Sequence, residues 1–167
     1  PVPLRDFPAL VVLEDARGGF RHGDCALPGG ADLRFSDEHG AELDHEIEAW
    51  DQGGKSWVWV RVPQLASPAT SIVAHWGNPD PALAGESSAR HVWSGGFAGV
   101  WHMGEPDARD ALGRNHGRGT GTITIPGVVS AAQQFAAEGK PVIAVDRVTD
   151  ELRIAGELSV SAWVKPL

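Results

Sequence analysis

Of 167 residues only one is cysteine and none is tyrosine, and lysine and arginine nowhere form a cluster. The lone Cys25 excludes an intrachain disulfide framework, and it cannot supply a thiolate metal cluster. Twenty-two acidic against 14 basic side chains give a formal net charge of -8. Non-specific nucleic-acid binding draws its affinity from cations that neutralise phosphates, so no nucleic-acid partner is expected. No apolar run approaches the roughly 20 residues of a membrane span. The opening Pro-Val-Pro has neither a charged n-region nor an apolar h-region, so no signal peptide is expected in this stretch. The seven histidines (His22, His39, His45, His75, His91, His102 and His116) contain no HxH or HExxH spacing. Gly-x-Ser-x-Gly is missing too, and Cys25 has no identifiable base, so no nucleophilic set can be read. Nor does any window keep a 3.6-residue apolar period for four turns. The best helix candidate, 128–137, predicts one or two turns at most, or a strand leading to Phe135.

Glycine, at 21, and proline, at 12, break the chain every few residues, while 42% hydrophobic content suffices for a packed core. Between the breaks, apolar and polar residues alternate: "PALVVLE", "ADLRFS", "HEIEAW", "SWVWVRVP", "TSIVAHW", "GTITI", "PVIAV", "ELRIA" and "ELSVSAWV". Short period-2 runs between turn residues predict an all-β chain of β-sandwich or jelly-roll modules. Two modules are expected, 1–80 and 97–167, separated by a linker or long loop over 81–96 that contains "ALAGESSARH".

The blocks "GADLRFSDEHGAELDHEIEAWD", "VWVRVPQL" and "SIVAHWGNPD" resemble the bacterial domain of unknown function 2341 over roughly residues 5–80. Farther on, "GVWHMGE", "DALGRNHG", "AAQQF" and "ELSVSAWVKP" resemble the opening of a laminin-G-like, concanavalin A-like jelly roll. The pairing resembles large extracytoplasmic bacterial proteins, some fused to proton-channel subunits of the MotA/TolQ/ExbB type. One departure concerns hydroxyls: His45, His75 and Trp76 stand where the resemblance implies aromatic hydroxyls. The first of these families has no settled activity, so the resemblance implies architecture more than function. It also implies that the second module is cut short. About five strands fit between Phe97 and Leu167, judging from strands of ~5–6 residues, whereas a jelly roll needs eight. Further chain, or strands shared with another chain, would then complete it.

Residues two apart on a strand share a face. If 31–36 and 43–50 pair, and 57–62 joins them, then Leu33, Phe35, Ile47, Val58, Val60 and Val62 line one side. Asp32, Arg34, Glu46, Glu48, Trp50, Trp57, Trp59 and Arg61 line the other. Such a face suits a sugar platform, because indoles stack on apolar sugar faces while carboxylates and arginine bond hydroxyls. It equally suits an ion-paired face whose indoles lie under a second sheet. Glu46 and Glu48 stand about 7 Å apart at Cα by strand geometry, within reach of a glycosidase pair, yet no neighbouring motif divides them into acid and base.

For metals, Asp107, Asp110 and Asn115 form a candidate calcium set of oxygen ligands. The alternative is an Asx turn in which Asp110 holds the loop backbone and Asn115 takes a left-handed turn before Gly117. Trp101 and Trp163 are expected in the second core. Taken together, the sequence predicts a non-catalytic, extracytoplasmic recognition or adhesion module that binds a glycan or another envelope protein. A purely structural module that positions a partner is the alternative, and a glycoside hydrolase fragment comes third.

Overall fold

A computed structural model describes residues 2–66, 70–80, 88–136 and 138–166. Strands occupy 36% of the chain and helix 10%, so the protein is all-β. It divides into two compact units, Pro1–Gly96 and Phe97–Leu167.

The first unit holds two antiparallel sheets. One joins β1 (Leu4–Glu14), β5 (Lys55–Leu65) and β4 (His45–Ala49) in the order β1-β5-β4. The other joins β3 (Glu42–Leu43), β2 (Arg34–Asp37) and β6 (Ile72–His75) in the order β3-β2-β6. Both sheets feed one core. Leu13, Val58 and Val60 come from the first and Phe35 and Leu43 from the second, with Phe20 and Leu33 from the connecting loops. Burying each large aliphatic side chain contributes about 1.5–3 kcal/mol, so this shared core is the main source of stability.

The expected pairing of 31–36 with 43–50 is only half realised. Phe35 pairs with Leu43, but from His45 onward the chain pairs with β5. The segment therefore crosses from one sheet to the other at Asp44. Period 2 survives the crossing, since Leu43 and His45 are buried and Ile47 packs against the core. It fails at Glu48: Ile47 pairs with Val58 and Ala49 with Trp57, leaving Glu48 as the extra residue of a β-bulge. The bulge reverses the parity, and Trp50 turns inward against Phe20 and His22. Its ring lies where a Cβ on Gly30 would stand, 2.4 Å away.

Residues 88–96, expected within a linker, pack onto the first unit. The helix α1 (Ala89–Val92) covers the outside of β4 and β5, and Val92 and Trp93 are buried. The rest of that expected linker, 81–87, lies outside the described residues.

The second unit contains β7 (Gly117–Thr120) paired with β10 (Val142–Val145), and β8 (Ile123–Pro126) paired with β9 (Ala131–Gln134). The ambiguous 128–137 stretch thus yields a strand. "ELRIA" and "ELSVSAWV" do not: a short 3-10 helix covers Asp150–Leu152, and 157–164 joins no strand pair among the described residues. Alternation needs a neighbour to supply the hydrogen-bond ladder, and here none does. Trp163, expected in a core, is 80% exposed, whereas Trp101 is partly buried and donates its indole N–H to the Asn115 carbonyl.

Gly30 also has a φ of 72°. Gly30→Ala combines a left-handed backbone with overpacking against the Trp50 ring, and it should cost about 2–4 kcal/mol in urea unfolding. Gly29→Ala faces open space, so it should show the backbone cost alone.

Candidate functional site

The outer face of the β1-β5-β4 sheet carries Trp57, Trp59 and Arg61 from β5, opposite Val12, Leu10 and Pro8 of β1. Glu46 lies directly across from Trp59. Two indole–carboxylate hydrogen bonds organise the face. Trp93 donates Nε1–H to Glu46 Oε2 and Trp59 donates Nε1–H to Glu48 Oε2, both at 2.6 Å. The Trp59 and Trp93 rings meet edge-on with centroids 5.0 Å apart. Arg61 is held at the crossing point, 2.8 Å from Asp6 and 3.5 Å from Asp44, and His91 of α1 reaches Asp44 at 3.2 Å. Asp6, between Arg5 and Phe7 of β1, has a φ of 49°.

Of the expected platform, then, Glu46, Glu48, Trp57, Trp59 and Arg61 do share a face. Trp57 and Trp59 are partly exposed, while Glu46 is buried beneath Trp93. Trp50 is on the core side because of the bulge. Asp32 and Arg34 belong to the other sheet's end of the unit. Asp32 is buried and accepts backbone N–H groups from Ala26, Leu27 and Gly77, so it ties the loop after Asp24 to the turn after β6. Burial pushes its carboxyl upward, but the N–H donors of Ala26, Gly77 and Leu27 outweigh this and hold it below the usual carboxylate range. Arg34 donates to the carbonyls of Ala31 and Leu33, and its Nε lies 3.6 Å from Glu42.

The candidate calcium residues are likewise occupied with backbone. Asp110 accepts from the N–H groups of Val100, Leu112, Arg114 and Asn115. Asn115 Oδ1 accepts from the Thr149 N–H. The turn reading therefore describes Asp110, whereas Asn115 has no left-handed φ and ties its loop to Thr149 instead. Asp107 instead lines an open depression with Arg109, His116, Arg118 and Asp146. Among the described residues no group of three or more His, Cys, Asp or Glu side chains is placed to hold a metal ion.

A third arrangement escaped the sequence. His22 Nδ1 lies 2.7 Å from Asp15 Oδ1, and its Nε2 lies 2.9 Å from Ser56 Oγ. The carboxylate only accepts, so in a neutral ring Nδ1 carries the proton and Nε2 accepts the serine hydroxyl. Ser56 Oγ in turn accepts the Asp51 N–H. Although the order matches a nucleophile relay, the accessibility is inverted, for Ser56 is fully buried and Asp15 is exposed. The hydroxyl is closed to solvent, and the relay pins two turns together. Spacings of 7 and 34 residues gave no signal from which to predict it.

Residues 29–97 match the model of a family described as a domain of unknown function, DUF2341. The matched segment starts later and ends later than the resemblance drawn over 5–80, so it excludes β1 and takes in α1 and Trp93. No curated protein and no solved structure matches the chain. No helix among the described residues is long and apolar enough to cross a membrane.

Removing one indole donor separates the two kinds of tryptophan. Trp93→Phe takes a hydrogen bond from a buried carboxylate and should lower unfolding stability by about 1.5–3 kcal/mol, whereas Trp57→Phe should stay within about 0.5 kcal/mol. The Asp32 carboxylate, depressed in the fold, contributes stability above its unfolded pKa and loses it as pH falls through the folded value. Asp32→Asn should accordingly be less stable than the parent at pH 7, with the gap closing in acid. A gap that persists unchanged at pH 2 would contradict this assignment.

Proposed function

We propose that the first unit is a non-catalytic, extracytoplasmic recognition module that takes a glycan against the outer face of its β1-β5-β4 sheet. One observation carries the reading. Trp57 is partly exposed on a face where the neighbouring indoles of Trp59 and Trp93 are fastened to carboxylates. A fastened, rigid aromatic surface with polar groups at its edge is what stacking on a sugar ring requires. The same two hydrogen bonds weigh against a glycosidase. Glu46 and Glu48 each accept an indole N–H, and an acid/base pair instead needs one free acid and a cleft between the two. We further read the two sheets of this unit as a small sandwich, and the second unit as part of a laminin-G-like, concanavalin A-like jelly roll.

A second reading, assembly of an envelope protein, is favoured by the exposed stretch 157–164. Leu158, Val160 and Val164 alternate along it with 63%, 82% and 80% of their surface open. Such a stretch is a template for strand addition by another chain.

On a glycan array the chain should bind at least one sugar, and Trp57→Ala should abolish that binding while leaving the circular dichroism spectrum unchanged. An array with no binder overturns the recognition reading. For assembly, light scattering should give a mass above the monomer that Val160→Asp returns to the monomer. A monomeric parent chain rules out self-association through this stretch.

A further inference from the structure

Resting on the glycan reading of this same face, we infer that its ligand is a sugar without carboxylate, sulfate or phosphate groups. Five carboxylates border the face. Glu14, Glu46, Glu48 and Asp6 come from the strands and Asp44 from the crossing point. On the strands, the described permanent cations of this face are Lys55 opposite Glu14 and Arg61 opposite Pro8, and the covering helix α1 adds the exposed Arg90. Arg61 is the group whose planar fork would take a ligand carboxylate or sulfate bidentately. That fork is already engaged, with one terminal nitrogen 2.8 Å from Asp6 and the other 3.5 Å from Asp44. Releasing it would leave two carboxylates facing each other and the incoming anion. Arg34, the other arginine of the expected platform, is in the other sheet and turned toward Ala31, Leu33 and Glu42. His91 of α1 spends its Nδ1 on Asp44. The field of the whole chain has the same sign, at a net charge of -8. Like charges on an acidic surface repel over roughly 8 Å at physiological salt, and that distance spans the neighbouring residues of an oligosaccharide.

The experiment titrates the intact chain, followed by tryptophan fluorescence, with three oligosaccharide sets at low salt. These are uncharged hexose and pentose oligomers, galacturonic acid oligomers, and glucosamine oligomers. At least one uncharged or amino-bearing set should bind, with Kd at least tenfold below that for the uronate oligomers. Salt at 0.5 M, roughly a 4 Å screening length, should narrow that ratio. Trp57→Ala should remove the binding, placing it on this face. Uronate binding as tight as the others, and lost in Trp57→Ala, overturns this inference while leaving the glycan reading intact. Silence from all three sets overturns the glycan reading, and this inference with it.

Discussion

The first unit depends on one constraint: residues 42–49 must serve two sheets at once. Leu43 and His45 point into the same core from different sheets, and the backbone changes partner between them at Asp44. Arg61 fixes that corner. Its guanidinium takes Asp44 and Asp6, and the Arg61 backbone N–H donates to the Asp44 carbonyl at 2.9 Å. Charge-assisted hydrogen bonds at a corner specify register more than they add stability, because a register slip would strand these groups without partners. Much else follows from the crossing. Glu42 is left beside Arg34, while Glu46 is carried to the face that α1 covers.

That covering decides the character of the site. An acidic strand face is ordinarily left wet, yet Glu46 here is buried, with the Trp93 indole as donor. The short helix is tied down at its start by the Ser88 N–H bonded to the His45 carbonyl, and farther along by His91 on Asp44. His45, buried in the core below, has its pKa pushed down by burial and by the nearby Arg34 charge, so its ring stays neutral among apolar neighbours. In both pairs the indole donates and the carboxylate accepts, which holds each side chain in place.

The all-β class was legible because period 2 is set by the pleat and survives wherever a sheet has one buried side. Val58, Val60 and Val62 fall on the apolar parity of their run and are buried. Two features hid the rest. A strand that changes sheets looks, in sequence, like one that does not, so the period groups Asp32 and Arg34 with Glu46 and Glu48 although the crossing parts them. A single bulge residue then inverts parity, and Trp50 moved from the expected outer face to the core. Period also overstates strands where no described neighbour completes a ladder, as in 157–164. Long-range hydrogen bonds such as Trp93 to Glu46, or Ser56 to His22, leave no local pattern at all.

Indole hydrogen exchange by NMR tests the central claim, that Glu46 and Glu48 fasten their indoles while Trp57 stays open. The Nε1 protons of Trp59 and Trp93 should be shifted downfield by their carboxylate acceptors and protected from exchange, and that of Trp57 should exchange rapidly. A protected Trp57 beside a rapidly exchanging Trp59 or Trp93 would contradict the account of this face.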